Sequence, residues 1–115
     1  MRVMNLTPHE LTLVGENGKV LGRIAPTGQV ARVNTQATKV EAVEINGNSI
    51  PVVATEFGEV IDLPESQDGT IYVVSILVVQ AVRGLRDDVV APDTGPESVV
   101  RDAQGQIKGV RRFTR

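Results

Sequence analysis

The stretch Thr70–Arg83, TIYVVSILVVQAVR, is the longest apolar run in the chain, and its period changes in the middle. Thr70–Val74 reads as a buried strand. Ser75 reads as a helix N-cap, Ile76–Val82 as a buried helix, and Gly84 as its stop. The unbroken part, Ile71–Val82, is about twelve residues, against the roughly twenty that a membrane-spanning helix needs. It is therefore expected to be a core element.

The chain has 115 residues and no cysteine. That length suits one domain, 1–115, with a single core. Valine dominates the apolar set, and Phe57, Tyr72 and Phe113 are the only aromatics. Valine and isoleucine are stiff at their first torsion and suit strands. Without cysteine there are no disulfides, thiolate metal sites or thiol nucleophiles. Met1–Asn5 lacks the basic and apolar regions of a signal peptide, so a cytoplasmic protein is expected.

Turn signals recur about every ten residues, and the segments between them read as strands. Leu11–Val14 and Val20–Ile24 flank Asn17-Gly18, and Val40–Ile45 and Ser49–Thr55 flank Asn46-Gly47. Asn-Gly between β-rich runs is a strong hairpin signal. Pro51 cannot donate to a ladder and is expected at an edge or a bulge. Val30–Thr35 reads as a separate strand, with Gln36–Lys39 as a loop. Glu56–Glu59 reads as a turn into Val60–Leu63, and Pro64–Gly69 as a surface loop. After the helix, Leu85–Ala91 leads into a short strand, and Pro92–Pro96 is a rigid loop. Val99–Asp102 and Ile107–Phe113 flank a type I turn from Asp102 to Gly105. These elements predict an α+β, mainly β fold. The expected form is a small antiparallel barrel or sandwich with one buried helix at about 75–83.

Several of these segments carry a resemblance. They are Asn5-Leu6-Thr7-Pro8-His9-Glu10, Ile71–Ser75, Arg86-Asp87-Asp88 through Pro92–Pro96, and Val100-Arg101-Asp102 through Gly109-Val110-Arg111-Arg112. Together they resemble a family of small proteins encoded in phages, prophages and bacterial genomes. The resemblance spans nearly the whole chain and brings no assigned activity. It implies a phage-associated setting in the host cytoplasm. By analogy of class, it also implies the company of proteins that inhibit or trap host defence signals.

The candidate chemistry is sparse. His9 is the only histidine. It could act as a general base or touch a ligand, but Glu10 beside it points to the opposite face of an extended segment. The alternative is a structural turn in which Thr7 caps and Pro8 bends. Ser75 lacks the glycines of a nucleophile elbow and is read as a cap. Arg86, Asp87, Asp88 and Asp93 put carboxylates near one another. The structural alternative pairs Arg86 with one aspartate and has Asp93 close a turn. Asp93-Thr94-Gly95 could instead form a polar rim against a ligand. No standard phosphate loop is present, so a phosphate would have to be met by arginine.

The net charge is −2, which argues against a general DNA or RNA binder. Yet Arg101, Lys108, Arg111, Arg112 and Arg115 face only Asp102 in the last seventeen residues. They could meet an anion or simply guard a solvated edge strand. On an extended strand Arg111 shares the face of Ile107 and Phe113, which makes it the first candidate. Arg101 and Arg112 follow it.

Two functional readings stand. The first is a non-catalytic binding protein that sequesters a small anionic, nucleotide-like ligand as a homo-oligomer. Its expected contacts are Arg111, Arg101, Arg112, His9, Thr7, Arg86, Asp93 and Thr94. It needs no cofactor, metal, DNA or membrane. The second is a protein–protein interaction module, either an inhibitor of a host protein or a minor structural component. An enzyme built on His9 and an aspartate is a third and weaker reading.

Overall fold

A computed structural model describes residues Met1–Arg115. Its centre is the apolar stretch described above. Strand β6 (Thr70–Val73) runs through Ser75 into helix α1 (Ile76–Ala81) and returns as β7 (Val89–Pro92). The Ser75 hydroxyl accepts from the Val78 amide, so the cap forms as expected. Gly84 takes the left-handed conformation that stops the helix, with φ of 82°. Helix α1 is shorter than the 75–83 anticipated. It is buried on one side only, through Val78 and Val79, while Ile76 and Leu77 face solvent.

A helix between β6 and β7 turns the chain so that both strands run the same way. They pair in parallel, as do β1 (Arg2–Asn5) and β6. The short β10 (Phe113–Thr114) closes this sheet, whose order is β1-β6-β7-β10. A second sheet has the order β3-β2-β9-β8 and comprises β2 (Leu11–Val14), β3 (Val20–Ile24), β8 (Val99–Arg101) and β9 (Ile107–Val110). Here β2 and β9 also pair in parallel. The all-antiparallel expectation is thus corrected to mixed sheets. The α+β, mainly β class holds. The two sheets pack as a sandwich, and no barrel closes.

Burial explains this arrangement. Tyr72 and Val74 join Leu6, Val78, Val79, Val82, Val89 and Ala91 in one cluster. Val73, on the opposite face of β6, is fully buried as well. A strand covered on both faces reads as a continuous apolar run, which is what the sequence carries.

The largest departure lies between Arg32 and Ile61. The anticipated loop Gln36–Lys39 and turn Glu56–Glu59 are both strand. Strands β4 (Arg32–Ile45) and β5 (Asn48–Ile61) have fourteen residues each and form one long ribbon, with Gln36 opposite Glu56 and Ala37 opposite Thr55. Asn46 and Gly47 make the tip with φ of 51° and 79°, as an Asn-Gly hairpin turn requires. Pro51 is tolerated because both strands of a two-stranded ribbon are edges. Only the root of this arm, at Val33 and Val60, packs on the core. None of the 17 buried residues lies within the arm. The radius of gyration is 17.4 Å, against about 13 Å for a compact chain of this length.

The tail also differs from expectation. Ile107–Phe113 is not one strand, because β9 ends at Val110 and the chain bends at Arg111. Buried Ser98 holds the bend, its hydroxyl accepting from the amides of both Arg111 and Arg112. The strand alternation that placed Arg111 beside Ile107 and Phe113 therefore does not apply.

Where β9 crosses β2, a Cβ on Gly109 would lie 2.7 Å from the Thr12 carbonyl oxygen and 2.8 Å from Val14 Cγ2. Backbone cannot yield as a side chain does. Gly109→Ala is expected to destabilise the protein by about 1–3 kcal/mol in chemical denaturation. Gly22→Ala, on a strand with open space, serves as the near-neutral control.

Candidate functional site

The opening turn is organised by Asn5, a fully buried polar residue. Its carboxamide N–H groups donate to the carbonyls of His9 (2.8 Å) and Ile24 (3.0 Å). Its oxygen accepts from the amide and hydroxyl of Thr7. Thr7 is thus committed to the turn, as the structural alternative supposed. The His9 side chain is exposed and makes no hydrogen bond. Glu10 turns toward Arg23, at 3.9 Å. His9 lines a shallow cleft of about 260 Å³ with Thr94 and Lys108. The Asn5-Leu6-Thr7 pattern is an Asx-turn signal that would have identified Asn5.

Asp93 and Arg112 come together across the mouth of the β7–β8 loop. Asp93 accepts from the Gly95 amide at 2.9 Å and from Arg112 Nε, and Arg112 also reaches Glu97 at 3.6 Å. The hydrogen bond from Arg112 holds the Asp93 carboxylate below its usual range, and the Arg112 guanidinium is raised in return. Both groups are therefore occupied. Arg101 donates to the Gly105 carbonyl at 2.7 Å and braces its own hairpin. Arg111 is exposed, and its side chain has no hydrogen-bond or ion-pair partner. The eight candidate residues do not converge on one site.

A larger cleft lies elsewhere. It measures about 550 Å³, within the range of small-molecule sites. It opens between the end of α1, the Gly84–Asp87 turn and the tail. Arg83, Arg86 and Arg115 line it, beside Val79, Leu85 and Val89. Leu85 is 80% exposed there. Arg86 is fixed by a bidentate pair with Asp88 (2.8 and 2.9 Å) and by the Pro64 carbonyl (3.0 Å). Its guanidinium carbon sits 5.8 Å from the centre of the Tyr72 ring. Arg115 donates to the Asp87 carbonyl. Arg83 makes no ion pair. Of the candidate residues only Arg86 is here, and it pairs with one aspartate as expected. Sequence reasoning missed Arg83 and counted Arg115 only among the tail charges, because only the β7–β10 pairing brings the tail to the helix end.

The Arg86–Asp88 pair is largely sheltered, with side-chain exposures of 20% and 13%. The hydrogen bonds from Arg86 depress the Asp88 carboxyl, against the opposing effect of burial. Scans of family models, curated proteins and solved structures find no match to the chain.

A carboxyl depressed in the fold contributes stability in full above its unfolded value of about 4. That contribution is lost as pH falls through the native value. Asp88→Asn is expected to cost about 1–3 kcal/mol at neutral pH. It should also flatten the acid-side fall of the thermal midpoint, measured by circular dichroism from neutral to acid pH.

Proposed function

We propose that this protein is a non-catalytic, phage-type binding protein that sequesters a small anionic, nucleotide-like ligand as a homo-oligomer in the cytoplasm of the host. The observation that carries the reading is the cleft at the end of α1. Three guanidinium groups line it, and guanidinium groups suit bidentate contact with phosphate. Arg86 is engaged by Asp88 and fixes one wall of the cleft, which leaves Arg83 and Arg115 to meet the phosphate. The apolar side chains of Val79, Leu85 and Val89 offer a surface for a flat, less polar part such as a base. The reading assigns no catalytic step, and His9 lies at a different cleft.

A second reading, a protein–protein interaction module, is favoured by the long arm with its unburied apolar residues.

The ligand reading is tested by native mass spectrometry and the 260/280 nm absorbance ratio of freshly purified protein. Thermal shifts with a panel of mono-, di- and cyclic nucleotides follow. At least one nucleotide should raise the midpoint, and Arg83→Ala or Arg115→Ala should weaken its binding about 10- to 100-fold. Lys19→Ala, in the distant β2–β3 turn, should leave binding unchanged. Indifference to every nucleotide, or shifts insensitive to both arginine variants, would remove the proposal.

A further inference from the structure

The arm is a surface without a cover. Val40, Val43, Ile45 and Ile50 are each between 44% and 60% exposed. A two-stranded ribbon is marginal in water on its own, and soluble monomers rarely expose so continuous an apolar band. Fourteen strand residues reach about 46 Å, which is long enough to lie across a neighbouring body rather than its own.

The register separates the two faces of the ribbon. Val43 pairs with Ile50, Glu41 with Val52, Ile45 with Asn48 and Gln36 with Glu56. Side chains alternate along β5, so these residues share one face, and its only charges are Glu41 and Glu56. Lys39 and Glu44 belong to the opposite face, with Val53 and Pro51. The first face is therefore apolar and purely acidic. Packed on another copy of itself, it would bring carboxylates to carboxylates with no cation between them. Packed on a basic, partly apolar surface, both of its characters would be matched.

The same chain carries such a surface. Ile107 is half exposed on β9, opposite Arg101 on β8, and lines one cleft with Lys108. Arg101 and Lys108 make no ion pair, and no ion pair joins the arm to the rest of its own chain. We infer that the acidic face of the arm docks on the Arg101–Ile107–Lys108 surface of a second copy. The two copies would exchange arms reciprocally, since each carries both halves of the contact. This deepens the self-association part of the function proposed above and is independent of its ligand part.

Charge reversal tests the contact, with mass measured by sedimentation or light scattering at high micromolar concentration. Wild-type protein should be a dimer or larger. Glu41→Lys with Glu56→Lys should give monomers, as should Arg101→Glu with Lys108→Glu. Mixing the two variants should restore association, because each then offers a matching arm and surface. Circular dichroism on every variant checks that the fold is kept. Val43→Ser with Ile50→Ser, which leaves the charges alone, should also dissociate the protein. A monomeric wild type would overturn both the contact and self-association. An oligomer unmoved by either charge reversal, or monomeric variants that stay apart when mixed, would overturn this contact alone. Nucleotide thermal shifts on the monomeric variants report the ligand reading separately.

Discussion

The double-sided burial of β6 is the constraint on which the rest of the structure depends. Tyr72 and Val74 face the helix and the arm root, while Val73 is buried on the other side. Each fully buried side chain of this kind contributes roughly 1.5–3 kcal/mol. No surface pair in the molecule reaches that scale. A strand covered on both faces needs a layer on each side. Helix α1 and the arm root supply one, and the second sheet supplies the other. Tyr72 extends the constraint outward. Its hydroxyl donates to the Glu65 carbonyl at 3.0 Å, and its ring lies near Arg86. Through Arg86 the core fixes one wall of the arginine-lined cleft.

Much of this was legible in the chain, and the reasons are local. The change of period within Thr70–Arg83 marks the strand and helix, and Ser75 caps where a serine is expected. Asn17-Gly18, Asn46-Gly47 and Asp102–Gly105 each form their turns because short polar residues and glycine accept the required torsions. What was not legible is non-local. The arm hides because bulges at Val33/Thr35 and Lys39/Glu41 shift the register, so apolar residues do not alternate cleanly from root to tip. The helix between β6 and β7 is visible, but the parallel partners β1 and β9 lie far away in sequence.

The candidate site was less legible than the fold. Arg86 was found because its aspartate partner is two residues away. Arg112 was found, yet Asp93 and Glu97 occupy it. The ordering of the tail arginines relied on an uninterrupted strand, and the Ser98 hydroxyl ends that strand before Arg111. Arg83 and Arg115 become neighbours only after the last strand pairs with β7. A site assembled from a helix end and a tail has no sequence signature, since its spacing is set by the sheet between them.

Fold and proposals meet in the arm, an element the core anchors at one end and leaves uncovered at the other. Amide hydrogen exchange as a function of protein concentration tests that account most directly. If a second copy covers the arm, amides in Lys39–Val53 and in the Arg101–Lys108 hairpin should gain protection together as concentration rises. Those of β6 should stay protected throughout. Fast exchange of the arm at every concentration, with no change in the hairpin, would contradict it.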